Sequence, residues 1–271
     1  MNKFRVQKPS FAKKSFGQNF LVDQKYIDKI ISALNPQTGE TIIEIGAGRG
    51  ALTEGLIESS AEVIAIELER GMIAVLRERF AGVENFKLVE ADALLIDFTE
   101  LLKTESRKIE TKLVANLPFN ISTAILQRLI EQKDSFSEMI LMFQREVVER
   151  ITARVGNSER GFLTVMTEAY LKTEKLFDVP PKAFLPAPKV WSAVVRLTPK
   201  PNVIENEKSF RRIVSAGFRQ KRKTITNNLK SELEIIEMVL DECEIDRQRR
   251  AETLTLEEWK CLAKKKAGGE S

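Results

Sequence analysis

Short apolar runs alternate with amphipathic stretches through the first two thirds of the chain. In the amphipathic stretches, such as residues 52–59 and 72–80, the pattern of apolar positions predicts helices. The intervening runs are short and almost wholly apolar, which predicts buried strands. This alternation favours a parallel α/β sheet with helices on both faces. The predicted strands are residues 41–45, 63–66, 86–89, 112–115 and 139–143.

The pattern changes in the last third of the chain. Residues 175–179 and 192–197 predict two more strands at one edge of the sheet, the second with clear alternation. Residues 198–207 contain two prolines and mostly polar residues, which is typical of a linker. We therefore expect an α/β domain over residues 1–199 and a small all-helical domain over 200–271. The helices predicted in that second domain are residues 210–229, 233–240 and 256–265.

Composition limits the classes of function. With 271 residues, 43% of them hydrophobic, the chain is long enough for one large domain and one smaller one. No apolar run approaches the roughly 18–20 residues of a membrane helix, and the basic N-terminus lacks the apolar core of a signal peptide. We therefore expect a cytoplasmic protein. The absence of histidine excludes Ser-His-Asp hydrolysis and histidine-ligated zinc.

The two cysteines, Cys243 and Cys261, lack the spacing of a metal-binding motif. In a reducing cytoplasm we expect both to be thiols. No metal site is predicted.

Basic residues are concentrated in two parts of the chain, although the net charge is only +4. Residues 1–22 contain five basic residues and no acid, and residues 211–230 contain seven and no acid. Such segregation favours a polyanionic partner. The alternative is two ordinary solvated faces.

A glycine-rich segment follows the first predicted strand. Residues 44–50, Glu-Ile-Gly-Ala-Gly-Arg-Gly, let the backbone turn sharply and approach a ligand closely at Gly46 and Gly48. With Ala51 the segment also fits the looser dinucleotide-binding pattern, so both a nicotinamide cofactor and S-adenosylmethionine (SAM) stay open. A tight turn without a ligand is the alternative.

Carboxylates end the next two predicted strands. Glu67 is placed to accept both hydroxyls of a ribose, and Asp92 is placed to accept from an adenine amino group. A surface charge at a strand end is the alternative for Glu67, and a helix N-cap is the alternative for Asp92. The order of these features on successive strand ends favours a cofactor cleft.

The fourth strand ends in Asn116, Leu117, Pro118 and Phe119, which decides between the two cofactors. The exocyclic nitrogen of adenine is a poor nucleophile because its lone pair is delocalised into the ring. The Asn116 side-chain oxygen and the Leu117 carbonyl can accept its two hydrogens, while Pro118 fixes the turn and Phe119 offers a stacking face. This chemistry needs no histidine, and it predicts methylation of an adenine with SAM. An ordinary strand-ending turn is the alternative.

On these motifs the chain resembles the KsgA-type 16S rRNA adenine dimethyltransferases, over about residues 10–230. The relatives of that family include the erythromycin-resistance 23S rRNA methyltransferases and mitochondrial transcription-factor-B proteins. Six motifs occur in the family's order. They are residues 15–21, 44–53, 116–122, 144–150, 184–192 and 218–224.

The resemblance implies a Rossmann-like SAM-dependent methyltransferase sheet and a role for each site residue. It implies that Asn19 and Leu21 line the SAM site and that Gly46 contacts the methionine moiety. Asn116 would bridge cofactor and target, and Phe184 would stack on the target base opposite Phe119. From the residue alone, Phe184 is more typical of a core or loop-anchoring aromatic. The cofactor residues predicted in all are Asn19, Leu21, Gly46, Gly48, Glu67, Asp92 and Asn116.

The chain departs from the family at two places. Phe119 stands where the family usually has tyrosine, which keeps the stacking face and removes a hydroxyl. In residues 159–165 an arginine precedes the glycine instead of following it, so an RNA contact is not transferred to Arg160.

The second basic segment is the predicted RNA surface. Its cations lie within five positions: Arg219, Lys221, Arg222 and Lys223. They would neutralise phosphates, while RNA shape and extrusion of an adenine would give specificity. A solvated helix face is the alternative.

The resemblance implies dimethylation of N6 of two adjacent adenosines in a 3′-terminal hairpin of 16S rRNA, in the pre-30S subunit, by a monomer. A 23S rRNA adenine methyltransferase, a non-catalytic ribosome-assembly factor and a nicotinamide oxidoreductase are the rivals. The last shares only the glycine segment and Glu67.

Overall fold

The computed structural model describes residues 19–103, 110–201, 204–233 and 235–268, with the side chains of the last two residues left out. Most of the basic N-terminal segment, with Lys3, Arg5, Lys8, Lys13 and Lys14, lies outside these residues.

Seven strands form one mixed sheet, and two short ones form a separate ribbon. The sheet order is β4-β3-β2-β5-β6-β9-β7; neighbours from β4 to β6 are parallel, and β9 is antiparallel to both β6 and β7. The strands are β1 (Phe20–Leu21), β2 (Thr41–Ile45), β3 (Glu62–Glu67), β4 (Phe86–Glu90), β5 (Thr111–Asn116), β6 (Glu138–Gln144), β7 (Leu171–Val179), β8 (Phe184–Leu185) and β9 (Ser192–Pro199).

Helices connect the strands and cover the sheet, so the predicted α/β architecture is confirmed. Every residue of β2 is buried, as expected of a central strand with helices on both faces. The helices are α1 (Gln24–Leu34), α2 (Ala51–Glu58), α3 (Arg70–Arg79), α4 (Phe98–Lys103), α5 (Ser122–Glu131), α6 (Arg145–Ile151), α7 (Phe162–Tyr170), α8 (Glu207–Gly217), α9 (Ile225–Leu229), α10 (Ile236–Glu242) and α11 (Leu256–Gly268).

The chain changes direction across the sheet between β2 and β5. From β2 it proceeds outward through β3 to β4, and then returns to add β5 and β6 on the other side of β2. Helices that leave the two adjacent strands therefore diverge, and a crevice opens at their carboxyl ends. The glycine segment after β2 and Asn116 at the end of β5 both lie at this crevice.

The ribbon of β1 and β8 joins the N-terminal part of the described chain to the proline-rich segment. Phe20 is opposite Leu185 and Leu21 is opposite Phe184. The amide nitrogens of Val22 and Asp23 both donate to the Ala183 carbonyl. The ribbon therefore holds residues 19–23 over the carboxyl end of the sheet.

Only helices follow β9 among the described residues, and one core extends from the sheet into them. Phe210 and Trp259 are fully buried members of that core. The division into domains 1–199 and 200–271 stays a prediction.

Arg160 ties the two parts together. Its side chain is 1% exposed and binds the Glu168 carboxylate at 2.6 Å and the carbonyl oxygens of Ala153 and Leu254 at 3.3 and 3.4 Å. An arginine buried in this way has a structural role, because it stabilises the packing of the segments that it contacts.

Two predictions about the helical part are wrong. The single helix expected over residues 210–229 is two helices, α8 and α9, because the chain turns after Gly217 and Thr224 caps α9 through its hydroxyl. The two cysteines that were predicted to be thiols form a disulfide, in which Cys243 at the end of α10 is bonded to Cys261 in α11. The packing of these two helices brings together cysteines that are 18 residues apart in sequence.

Candidate active site

A cleft of about 330 Å³ lies at the carboxyl ends of β2, β3 and β5. Its lining residues come from five separate parts of the chain, and six of those residues were predicted to bind the cofactor. Those six are Asn19, Leu21, Gly46, Gly48, Glu67 and Asn116, and Leu117, Pro118 and Phe119 complete one wall.

The glycine segment brings bare backbone to the cleft. Gly46 and Gly48 have φ of +71° and +56°, in the left-handed region that favours glycine. A Cβ on Gly46 would meet nothing within 4 Å, so the space beside this backbone is open to a ligand. A Cβ on Gly48 would come within 3.2 Å of the Phe20 ring, which fixes how closely the N-terminal segment lies over the loop.

Glu67 holds the glycine loop in shape. Its Oε2 accepts from the Gly48 amide at 2.8 Å, and its Oε1 accepts from the amides of Leu68 and Glu69 at 2.9 Å. These donors occupy three of the approximately four acceptor positions of a carboxylate. A ribose that uses both hydroxyls would therefore displace one of them.

Glu44 also lines the cleft, although the glycine motif that contains it predicted no role for this residue. It is 2% exposed and accepts a hydrogen bond of 2.5 Å from the Thr53 hydroxyl. Burial raises the pKa of Glu44 from its ordinary value of 4.5 to about 7, against the effect of Thr53 and with a contribution from the charge of Glu67. The signal in the sequence is a carboxylate among the apolar residues of strand β2.

Asp92 lies after β4, one strand farther out, and does not line the cleft. Its Oδ1 accepts from the Leu94 amide at 2.9 Å, so it stabilises a turn. This is a local turn and not a helix N-cap, because α4 begins only at Phe98. Its predicted contact with the SAM adenine stays a prediction.

The side-chain amide of Asn116 is oriented by the N-terminal segment. Its Nδ2 donates to the Asn19 carbonyl at 3.1 Å. Because a carbonyl can only accept, this contact assigns the nitrogen to that side and leaves Oδ1 as the acceptor on the other side. Asn116 thus presents an acceptor at the end of β5.

The next three residues form the turn that was predicted from the sequence. The Leu117 amide donates to Met142 in β6, and the Pro118 carbonyl accepts from Ile121. Leu117 is buried, and Phe119 is half-buried with its ring on the cleft. A planar ligand can therefore reach both an aromatic face and the oxygen of Asn116.

The structure places Phe184 in the core. Its ring is 3% exposed and belongs to a cluster with Leu21, Ala183 and Val194, away from the lining of the cleft. Stacking on a base would require this side chain to leave the core. The role implied by the resemblance stays a prediction.

Two arginines at the rim of the cleft were not anticipated. The guanidinium of Arg49 lies 4.7 Å from the centroid of the Phe20 ring, a cation–π contact across the mouth of the loop. Arg79 donates to the Arg49 carbonyl at 2.6 Å and pairs with Glu54 at 2.5 Å. Their pattern in sequence gives no signal, because α2 and α3 bring them together only in the fold.

The predicted RNA residues lie in the turn between α8 and α9, not on a helix face. All four are exposed: Arg219, Lys221, Arg222 and Lys223. Arg219 binds Glu232 at 3.2 Å, and Lys221 donates to the Ser158 carbonyl at 3.1 Å. Within the part of the chain that the structure describes, Arg222 and Lys223 have no ion-pair partner, so these two are the cations available to phosphate.

In residues 19–103, 110–201, 204–233 and 235–268, no cluster of three or more histidine, cysteine or carboxylate residues is placed to hold a metal ion. None of the helices in the same ranges combines the length and the apolar character needed to cross a membrane.

Comparisons with known proteins agree on one family. The sequence model of the ribosomal RNA adenine dimethylases matches residues 10–267. The chain is 42% identical over 255 residues to ribosomal RNA small subunit methyltransferase A of Hahella chejuensis, covering 93% of this chain and 92% of that protein. The same-named protein of Acinetobacter baylyi is 44% identical over 255 residues, with 93% and 91% covered.

Solved structures show the same fold over nearly the whole chain. A dimethyladenosine transferase from Plasmodium falciparum superposes with a TM-score of 0.77 at 27% identity, covering 91% of this chain and 98% of that one. The 23S rRNA methyltransferase ErmE superposes with a TM-score of 0.67 at 25% identity, with the same coverage.

Proposed function

The chain belongs to the ribosomal RNA adenine dimethylase family, and from this premise we propose that it methylates N6 of adenines in small-subunit rRNA with SAM as the methyl donor. The finer proposal is dimethylation of two adjacent adenosines in the 3′-terminal hairpin of 16S rRNA, in the pre-30S particle during ribosome biogenesis. The proposed enzyme acts in the cytoplasm as a monomer. Its curated relatives, at 42–44% identity, carry the small-subunit name.

The orientation of Asn116 is the observation that carries this proposal. The bond from its Nδ2 to Asn19 leaves Oδ1 as an acceptor beside Phe119, at the strand end next to the glycine loop. An acceptor next to an aromatic face fits an amino-bearing ring. Hydride transfer by a nicotinamide oxidoreductase does not require an acceptor beside an aromatic face.

The cleft residues fit SAM. When bound, SAM supplies an electrophilic methyl group on a positively charged sulfur. The open space beside Gly46 and the carboxylate of Glu67 suit a ligand that carries positive charge. Residues 19–22, held by β1 and β8, would cover it and exclude water.

The residues of the turn act on the target amine. Oδ1 of Asn116 and the Leu117 carbonyl accept its two hydrogens, which localises the nitrogen lone pair toward the methyl group. Phe119 stacks on the ring and fixes the direction of that lone pair. The amine becomes acidic as it gains the methyl group, so positioning carries the catalysis and no strong base is needed.

The direct experiment is transfer of labelled methyl from SAM to purified 30S particles that lack the modification. We expect N6,N6-dimethyladenine in 16S rRNA, and a loss of roughly 10²-fold or more in kcat for Asn116→Ala. Asn120→Ala is the matched control, because Asn120 is exposed four residues farther along the chain. Near-normal turnover by Asn116→Ala with SAM still bound would refute the lone-pair role.

A large-subunit substrate is the second candidate, because the chain superposes on a 23S rRNA methyltransferase. Parallel assays on unmodified 30S and 50S precursors separate the two. Label in 23S rRNA alone would replace the small-subunit proposal, and label in neither would indicate a non-catalytic assembly factor.

A further inference from the structure

The two tryptophans of the chain have opposite environments. Trp259 is fully buried in α11 and packs against Phe218 with ring centroids 5.5 Å apart. Trp191 is 47% exposed, and no ring–ring contact to it occurs within the described residues. An exposed indole leaves a large apolar surface in contact with water. Its position relative to the active site is therefore informative.

The backbone under Trp191 is fixed although its ring is exposed. The Trp191 carbonyl accepts from the Arg145 amide at 2.9 Å, at the start of α6. The next residue, Ser192, is fully buried and begins β9 opposite Gln144. The ring is therefore presented from a rigid edge of the sheet.

This edge is the one that carries the target pocket. Asn116 is opposite Met142 in β6, and Met142 is opposite Val194 in β9. Trp191 precedes Val194 by three residues, so it lies two strands across and three residues farther toward the carboxyl edge. With strands about 4.8 Å apart and about 3.3 Å per residue, the two Cα atoms are roughly 14 Å apart. A strand of RNA covers that span in a few nucleotides.

The surroundings of Trp191 indicate nucleic acid as the occupant. Val190, the residue before Trp191, is also exposed, at 44%. Lys189 is exposed and has no ion-pair partner among the described residues. An unpaired cation next to an exposed aromatic is the arrangement by which proteins hold a phosphate and stack its base.

We propose that Trp191 is a stacking platform for an unpaired RNA base that flanks the adenine in the target pocket. The inference rests on the proposed function. Extrusion of the target adenine leaves its neighbours without a stacking partner. The indole face replaces that lost stacking, while Lys189 binds the adjoining phosphate. Trp191 is thus a substrate-positioning residue outside the pocket of residues 116–119.

Kinetics with unmodified 30S particles test the platform. Stacking of one base on an aromatic residue predicts that Trp191→Ala raises KM for the particle by roughly 5- to 150-fold. The value of kcat at saturation and the affinity for SAM are expected to change less than twofold. Trp191→Phe, which keeps an aromatic face, is expected to have a KM close to that of the wild type. Met238→Ala, at an equally exposed apolar position (51%) on α10, leaves KM unchanged.

Tryptophan fluorescence gives an independent readout, because Trp191 is the exposed tryptophan of the two. Titration with a protein-free RNA hairpin of the unmodified 16S 3′ end should quench the emission, and Trp191→Phe should abolish that quenching. Unchanged KM in Trp191→Ala, or absence of quenching, would overturn the platform. A KM that rises for 30S particles but not for the free hairpin would assign the surface to a ribosomal protein and overturn it too.

These outcomes separate the two proposals. If the wild type methylates 30S particles but Trp191→Ala is normal, only the platform fails. If the wild type methylates neither subunit, the proposed function fails, and the platform, which rests on it, fails with it.

Discussion

Glu44 is a buried carboxyl whose ionisation should make stability depend on pH. Its pKa is raised by burial from 4.5 to about 7 in the folded protein. Between these two pH values the folded state keeps a proton that the unfolded state has lost, so the free energy of unfolding falls as pH rises. The shift corresponds to about 3 kcal/mol over this window. Glu44→Gln keeps a neutral acceptor for Thr53 and should flatten that slope.

Urea unfolding at pH 5, 6, 7 and 8 measures this effect. Glu62→Gln is the control, because Glu62 is exposed at the start of β3. If Glu44→Gln and the wild type lose stability in parallel between pH 5 and 7, Glu44 is not the group that titrates.

The residues that the sequence identified are those whose position follows from a strand end. Asn116 and Phe119 come directly after a predicted strand, and the parallel pattern places them at the cleft. The pKa of Glu44 and the burial of Phe184 depend on what packs around each side chain. Those neighbours come from other elements, so a local pattern could not predict them.

At the scale of elements, Gly217 lets α8 and α11 approach each other. A Cβ at this position would lie 2.3 Å from Cη2 of Trp259, a rigid and fully buried ring. Gly217→Ala must therefore separate the helices, and we expect it to lower the free energy of unfolding by about 1–3 kcal/mol. In α3, Gly71→Ala is the matched control, because its Cβ would meet only Glu69 at 3.6 Å. Equal stability of the two variants in urea would show that the helices are not in close contact here.

The disulfide between Cys243 and Cys261 connects α10 to α11 across 18 residues. Closing a loop of this length restricts the unfolded chain and contributes about 3 kcal/mol. Dithiothreitol should therefore lower the thermal midpoint of the wild type. It should leave the Cys243→Ser/Cys261→Ser variant unchanged, at the midpoint of the reduced wild type. A wild-type midpoint that does not respond to reduction would mean that the bond adds nothing to stability.

The seven strands of the sheet were predicted to within a residue or two, except that β7 begins four residues before its predicted start. The ends of each strand could be predicted closely because each strand is a short apolar run between two helices. The break between α8 and α9 was missed because both helices continue the same periodicity in sequence. Phe218, the first residue after α8, packs against Trp259 from α11, and a local pattern does not show that contact. The two-residue strands β1 and β8 were not predicted, because each forms only by pairing with the other.

At the scale of the whole molecule, strand order determines which residues meet. The residues that end each strand can be predicted from the local pattern, but only the placement of β5 beside β2 brings Asn116 next to the glycine loop. Arg160 shows the same limit. Its buried contact with the Leu254 carbonyl depends on how the helical part packs against the rest of the chain.

The basic turn between α8 and α9 should contribute unequally to RNA affinity, although its cations look equivalent in sequence. Burial opposes ionisation of Glu232, but hydrogen bonds from Arg212 and Arg219 and the charges of Arg212 and Lys266 hold its pKa below the ordinary value. The charge of Arg219 is therefore already compensated, whereas Arg222 is exposed without a partner among the described residues. In a plot of log affinity for the RNA hairpin against log salt concentration, Arg222→Ala should reduce the slope by about 1. Arg219→Ala should reduce it by less, and Lys172→Ala, at an exposed position on the edge strand β7, should not change it. Equal slopes for the Arg219 and Arg222 variants would show that the RNA displaces Glu232 from Arg219 on binding.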